Sequence, residues 1–112
     1  MPQRKPTVVK RPAAVRDILQ HADYLAEHAS FAVAVRFARA IEQTISKLAR
    51  TPGMGTRWNP EHPRLSELRF FPAGKFRNHL VFYRPLPESG VEVVRVLHGS
   101  QDIEALFDEH EE

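Results

Sequence analysis

The chain has 112 residues, of which 42% are hydrophobic and 27% charged, so it can form one domain with a packed core but not two ordinary domains. It contains no cysteine, which excludes disulfides and zinc–thiolate sites. No segment approaches the roughly 20 consecutive apolar residues of a membrane helix, and no apolar stretch follows the basic N-terminus as it would in a signal peptide. We therefore expect one soluble, cytoplasmic domain spanning residues 1–112, with no cofactor.

Charge is unevenly distributed, although the formal net charge is only +2. The residues before Asp17 include five basic side chains and no acidic one, and the residues after Gln101 include six acidic side chains and no Lys or Arg. The net charge is therefore a poor guide to partners. We interpret residues 1–6 as a flexible basic tail and residues 109–112 as an acidic tail.

The first half of the chain is predicted to be helical. Thr7 to Lys10 is a short β-branched run and a weak strand signal. Pro12 suits the first turn of a helix, and Ser30 is a plausible N-cap for a second helix after a break at residues 28–30. Apolar residues then recur in steps of three and four until Thr51-Pro52-Gly53. Two helices joined by so short a break are expected to form an antiparallel hairpin.

The second half is predicted to be a sheet that follows a Pro- and Gly-rich loop at residues 52–63. Strand character covers Arg64 to Phe71, Phe76 to Arg84 and Val91 to His98, with turn residues between these segments. Short spacers favour antiparallel neighbours. A final short helix is predicted from Gln101 to His110. The fold expected is α+β, with a helical hairpin on one face of a mainly antiparallel sheet of about four strands.

Strand alternation places a polar set of side chains on the face of the sheet away from the helices. Phe76, Asn78, Leu80 and Phe82 are expected to face the helices, which leaves the open face to Arg77, His79, Val81 and Tyr83. His98 is expected to open onto the same surface as His79. The alternative is an ordinary amphipathic strand with no special role.

The last strand carries apolar residues on both faces, so we expect it to be central and covered on both sides. Arg95 would then be largely buried and would need a carboxylate partner in a structural ion pair. Asp17 and Glu42 on the helices are the candidates.

Other chemistry is not supported by the sequence. His21 and His28 lie seven residues apart on a helix, about 10.5 Å along its axis, which is too far for one metal ion. We find no glycine-rich phosphate loop and no GxSxG motif. We therefore predict no metal site.

Three segments resemble the ParE/RelE superfamily of bacterial toxins: RFARAIEQTISKLARTPGMG (36–55), LSELRFFPAGKFRNHLVFYR (65–84) and VEVVRVLHGSQDIEALF (91–107). The resemblance spans about residues 8–108 and is closer to the ParE branch. It implies the toxin of a type II toxin–antitoxin system, of the plasmid-stabilization kind, bound in a hetero-oligomer by a ParD-like antitoxin. It further implies that DNA gyrase is the target and that the toxin is a protein inhibitor, not an enzyme.

The alternative implied by the superfamily is a RelE-like, metal-independent endoribonuclease that cleaves mRNA on the ribosome. In that case Arg77, His79 and His98 are the catalytic candidates, because histidine titrates near neutral pH and arginine binds phosphate. Otherwise Arg77, His79, Tyr83 and His98 form a surface for the target or the antitoxin. Residues 64–98 contain one lysine, and the final helix is acidic, so we favour the gyrase inhibitor.

Overall fold

The computed structural model describes residues 5–62 and 65–109. In these two ranges the order is strand, two helices, four strands and a short helix, which confirms the predicted α+β fold. The elements are β1 (Thr7–Lys10), α1 (Pro12–His28), α2 (Phe31–Arg50), β2 (Thr56–Arg57), β3 (Arg69–Ala73), β4 (Phe76–Pro85), β5 (Gly90–His98) and α3 (Ile103–Glu109). A single 3-10 turn, Pro52–Met54, follows α2.

The helical half begins and ends at the residues that the sequence indicated. Pro12 is the first residue of α1. Ser30 is the N-cap of α2, because its hydroxyl oxygen accepts a hydrogen bond from the Val33 amide at 3.1 Å. Pro52 lies two residues after Arg50, the last residue of α2, and a proline there cannot continue the helix.

The strands form one sheet in the order β1-β5-β4-β3-β2. β1 runs parallel to β5, and the other neighbours are antiparallel. β5 lies between β1 and β4, which agrees with the central position predicted for it. The described chain has five strands where about four were expected. The additional strand is β2, which has only two residues and therefore no periodic signal.

β3 is shifted along the chain from the predicted segment. It begins at Arg69, after turns at residues 65–67, and it continues through Pro72 to Ala73. The predicted start, Arg64, lies outside the described residues. Pro72 is tolerated because β2 pairs only with Arg69 and Phe70, so no neighbour on that side needs a proline N–H. The turn to β4 is consequently short, and Gly74 takes the positive φ of 56° that it requires.

The facing of β4 is the reverse of the prediction. Val81 and Tyr83, expected on the open face, lie in the core beneath α1 and α2, whereas Phe82 lies in a second core on the other side of the sheet. Phe76 nevertheless packs against the helices, with its ring centroid 5.4 Å from that of Phe37. Phe76 is an odd number of positions from both Val81 and Tyr83, so strict alternation would place it on the opposite face of the strand from them.

A bulge explains the change of face. Pro72 pairs with Leu80, but the next residue of β3, Ala73, pairs with Phe76. Residues 77–79 of β4 are thus extra relative to β3, and the alternation restarts with the opposite sense after them. The sequence pattern gives no sign of this bulge, so the prediction from alternation failed at that point.

The second core fills the space between the sheet and α3. Its buried members are Leu68, Phe82, Val94, Leu97 and Phe107. Trp58 packs on this core, with its ring 5.9 Å from Phe82 and 5.3 Å from Phe107. The Asp102 carboxylate accepts a hydrogen bond from the Ala105 amide at 3.2 Å at the start of α3. The helix ends at Glu109, and the predicted end, His110, lies outside the described residues.

Candidate functional site

His79 lies at the seam between the helices and the sheet, not on an open sheet face. Its ring is 5.0 Å from that of His21 on α1, 4.9 Å from that of His98 on β5 and 4.8 Å from that of Phe37 on α2. Burial, together with smaller contributions from the charges of His21 and His98, lowers the pKa of His79 to about 4. His79 is therefore neutral at pH 7. We name His21, His79 and His98 the histidine cluster.

His21 was not predicted to contact His79, because helical spacing relates it only to His28. Its Nε2 donates a hydrogen bond to the Val96 carbonyl at 3.2 Å, which fixes the ring against β5. Burial lowers its pKa, opposed by that hydrogen bond and by Asp17. Spacing of i to i+7 on a helix cannot reveal such a contact, since the partner is on the sheet.

His98 is held in place by the turn that follows β5. Its Nδ1 accepts a hydrogen bond from the Ser100 amide at 3.0 Å and lies 2.7 Å from the Ser100 hydroxyl. Its own amide donates to the Gln101 side-chain oxygen at 2.6 Å. Because Nδ1 accepts from an amide, the neutral ring carries its proton on Nε2. Only Nε2 remains for an external partner.

Arg77 is exposed at the start of β4. It lies within the bulge, next to the β3–β4 turn. Of the four residues expected to form one surface, Arg77 is thus the exposed member, while His79 and His98 are half-buried.

Tyr83 is fully buried, which corrects its assignment to a surface. Its hydroxyl donates to the Pro52 carbonyl at 2.6 Å and accepts from the Gly55 amide at 2.9 Å. Burial raises the pKa of the phenol. A Cβ on Gly55 would lie 2.5 Å from this hydroxyl oxygen, so the chain approaches the ring as closely as glycine permits. Tyr83 anchors the segment after α2 and is not available to a partner.

Arg95 is buried and forms an ion pair with Asp17 of α1. Its Nε and Nη2 donate to the two carboxylate oxygens at 2.7 and 2.8 Å, and the Val96 amide donates to the same carboxylate at 2.9 Å. Glu42, the other candidate partner, instead pairs with Lys10 at 2.8 Å. Arg95 therefore links β5 to α1 and is not available to bind phosphate.

The sheet face opposite the helices is covered by α3 and Trp58. The exposed side chains at the start of α3, Asp102 and Glu104, are acidic.

Within residues 5–62 and 65–109, no group of three or more His, Asp or Glu side chains is arranged to hold a metal ion. No helix among these residues is long and apolar enough to span a membrane.

Comparison with known proteins identifies a family. The family model described as "ParE toxin of type II toxin-antitoxin system, parDE" matches residues 8–103. The chromosomal ParDE toxin–antitoxin system from P. aeruginosa includes a chain with the same fold, at a TM-score of 0.66 and 13% identity, over 84% of this chain and 96% of that one. No curated protein matches significantly. Because the family model covers most of the sequence, this chain belongs to the ParE toxin family of type II toxin–antitoxin systems.

Proposed function

We propose that the protein arrests growth by inhibiting DNA gyrase through protein–protein contact, and that a ParD-like antitoxin neutralises it. The observation that supports this over RNA cleavage is the position of His79. Metal-independent cleavage needs a base for the 2′-hydroxyl and an acid for the leaving oxygen. With its pKa lowered to about 4, chiefly by burial, His79 is a poor base, and at pH 7 it is not the imidazolium ion that would serve as the acid.

The other candidate catalytic groups are also occupied by structural contacts. His98 uses Nδ1 to accept from the Ser100 amide. Arg95, which was expected only in a structural ion pair, is bound to Asp17 and adds no cation to the site. Arg77 is left as an accessible cation near the cluster. One accessible cation beside the neutral His79 ring is a weak phosphate site, because charge stabilisation of the transition state needs several donors aimed at the phosphoryl oxygens.

Electrostatics on the opposite sheet face support the same conclusion. α3 lies over this face, and two exposed carboxylates stand at its start, Asp102 just before the helix and Glu104 in its first turn. Negative side chains repel RNA, whose backbone carries one charge per nucleotide. They are compatible with a protein surface that carries cations.

Exposed apolar side chains on the helical hairpin support an antitoxin that covers it. Leu19 and Tyr24 on α1 and Phe31 on α2 are each more than half exposed. β1, at the edge of the sheet, also exposes Val8 and Val9. Exposed apolar groups beside a free strand edge are typical of surfaces that receive a partner segment, either as an added strand or as an amphipathic helix.

Two assays with the purified toxin test the proposal. We expect inhibited supercoiling or trapped cleavage complexes with gyrase, and intact mRNA with translating ribosomes. A ParD-like antitoxin is expected to reverse the first effect when added in equimolar amount. Cleavage of ribosome-bound mRNA together with unaffected gyrase would contradict the proposal and favour the RelE-like alternative.

A further inference from the structure

The solvent-facing side of α2 carries a line of basic residues that the proposed function does not use. Arg36, Arg39, Lys47 and Arg50 are all exposed and follow one another in steps compatible with one helix face, with Gln43 between the two pairs. We call these four cations the basic stripe. Its length along the helix axis, from residue 36 to residue 50, is about 21 Å.

The positive charge of the basic stripe is not neutralised by carboxylates in the described part of the chain. None of its four cations forms an ion pair with another residue in the described part of the chain. The one carboxylate nearby on α2, Glu42, is bound by Lys10, whose Nζ lies 2.8 and 2.9 Å from its two oxygens. The stripe therefore presents net positive charge to solvent. Arg39, Lys47 and Arg50 also line an open groove together with Glu42, Gln43 and Ser46.

The composition of the basic stripe fits a nucleic-acid backbone better than a protein. Protein interfaces are centred on apolar and aromatic anchors and are depleted of Lys and Ser. The groove has none of those anchors; apart from Glu42, whose carboxylate is paired with Lys10, its members are the Arg, Lys, Gln and Ser side chains that commonly contact phosphates. It also has no aromatic ring on which an unpaired base could stack, which disfavours single strands.

We propose that the basic stripe of α2 binds the phosphate backbone of duplex DNA without sequence preference. The choice of DNA over RNA rests on the proposed function, since gyrase holds duplex DNA and an inhibitor docked on it lies beside that DNA. Contacts to phosphates position a protein and strengthen its binding without reading bases. The stripe would thus hold the toxin on DNA-bound gyrase more strongly than on free gyrase.

The test is fluorescence anisotropy of a labelled 30-base-pair duplex titrated with the full-length toxin between 50 and 200 mM salt. With four phosphate contacts, log K should fall against log salt with a slope of about −3.6, which is a loss of about 150-fold over this range. The double variants Arg36→Gln/Arg39→Gln and Lys47→Gln/Arg50→Gln should each halve the slope to about −1.8.

The matched control is Lys5→Gln/Arg16→Gln, which removes two exposed cations outside α2 and should keep the slope. All six substituted residues are exposed, so the variants should fold, and circular dichroism melts verify this. The proposal is overturned by absent binding at 50 mM salt, by equal slopes for stripe and control variants, or by a duplex RNA of the same length binding ten times more tightly. It is also overturned if the stripe variants lose only antitoxin binding.

A gyrase assay separates this inference from the proposed function. If the stripe variants inhibit gyrase as strongly as the unaltered toxin, and neither they nor the unaltered toxin bind DNA, the inference fails and the proposed function stands. If DNA binding follows the basic stripe but gyrase is unaffected by every form, the proposed function fails and the inference stands. If both hold, the stripe variants should need a higher toxin concentration for the same inhibition.

Discussion

Asp17 and Arg95 join the first helix to the central strand through a buried ion pair. Two charge-assisted hydrogen bonds and a third from the Val96 amide satisfy the carboxylate, and Arg95 keeps one buried nitrogen, Nη1, without a partner among the described atoms. Such a pair contributes little net stability relative to well-packed apolar residues, but the loss of one partner leaves a buried charge. Its main effect is to fix the position of α1 on β5.

We predict that Arg95→Met destabilises the protein by about 3–5 kcal/mol, because it leaves the Asp17 carboxylate buried without its cation. Urea denaturation with a constant m-value measures this change. The double variant Arg95→Met/Asp17→Leu should recover part of the loss, although the Val96 amide then lacks its acceptor. Unchanged stability of Arg95→Met would show that the ion pair has no structural role.

The histidine cluster makes stability depend on pH in a defined window. His79 has a folded-state pKa of about 4, below the ordinary histidine value of 6.5 that applies in an unfolded chain. The unfolded state therefore binds more protons between these values. The contribution of His79 to stability is complete above pH 6.5 and is lost as the pH falls toward 4.

We predict that the unaltered protein loses on the order of 1–2 kcal/mol of unfolding free energy from this group between pH 7 and pH 4.5, with allowance for solvent screening of a half-buried ring. His79→Phe keeps an aromatic ring against Phe37 and removes the proton. The variant should lose less stability over the same interval, by urea denaturation at each pH. Parallel stability curves for the two proteins would contradict the folded-state pKa.

At the scale of elements, the parallel pairing of β1 with β5 depends on a glycine. Gly90 opens β5 with a φ of 91° and pairs with Thr7. A Cβ at this position would lie 1.8 Å from the Thr7 carbonyl oxygen, which is far inside contact distance. Backbone on both sides of the clash has to move, so β1 cannot keep its register.

We predict that Gly90→Ala destabilises the protein by about 2 kcal/mol or more, through the positive φ and the clash with β1. Gly53→Ala is the matched control, because a Cβ there meets nothing within 4 Å. Thermal denaturation compares the two, and amide exchange at Val8 to Lys10 shows whether β1 has detached. Equal melting temperatures for both variants would mean that β1 contributes little to the fold.

The sequence predicted helices better than the facing of strands, for a physical reason. Ser30 caps α2 through a local hydrogen bond, and the apolar stripe of α2 repeats over 20 residues, so both signals are contained in neighbouring positions. The facing of β4 depends on a three-residue register change against β3, and the side-chain pattern of a single strand does not show its register against a neighbour. The same bulge moved Tyr83 from the expected surface into the core. Only Arg77 kept the exposure expected of it.

At the scale of the molecule, the histidine cluster and the two hydrophobic cores share one sheet. α1 and α2 cover one face, and α3 with Trp58 covers the other. The histidines lie at the edge of the first core, where His79 packs with Phe37 and Phe76 as an aromatic side chain does. Under the proposed function, exposed residues contact the target, and the histidine cluster stabilises the fold beneath them.

We predict that His79→Phe keeps growth arrest on expression and keeps gyrase inhibition within about threefold, because the phenyl ring preserves packing while it removes the only possible proton transfer at this position. A ribonuclease that uses His79 as acid or base would lose about 100-fold or more of its activity in the same variant. Expression from an inducible promoter, with and without the antitoxin, gives the first readout, and supercoiling by purified gyrase gives the second. A melt near that of the unaltered protein confirms that the variant folds. If His79→Phe folds but abolishes arrest and ribosome-dependent mRNA cleavage together, His79 takes part in the chemistry, and the protein acts as an enzyme. If it abolishes arrest and gyrase inhibition together, His79 belongs to the surface that contacts the target.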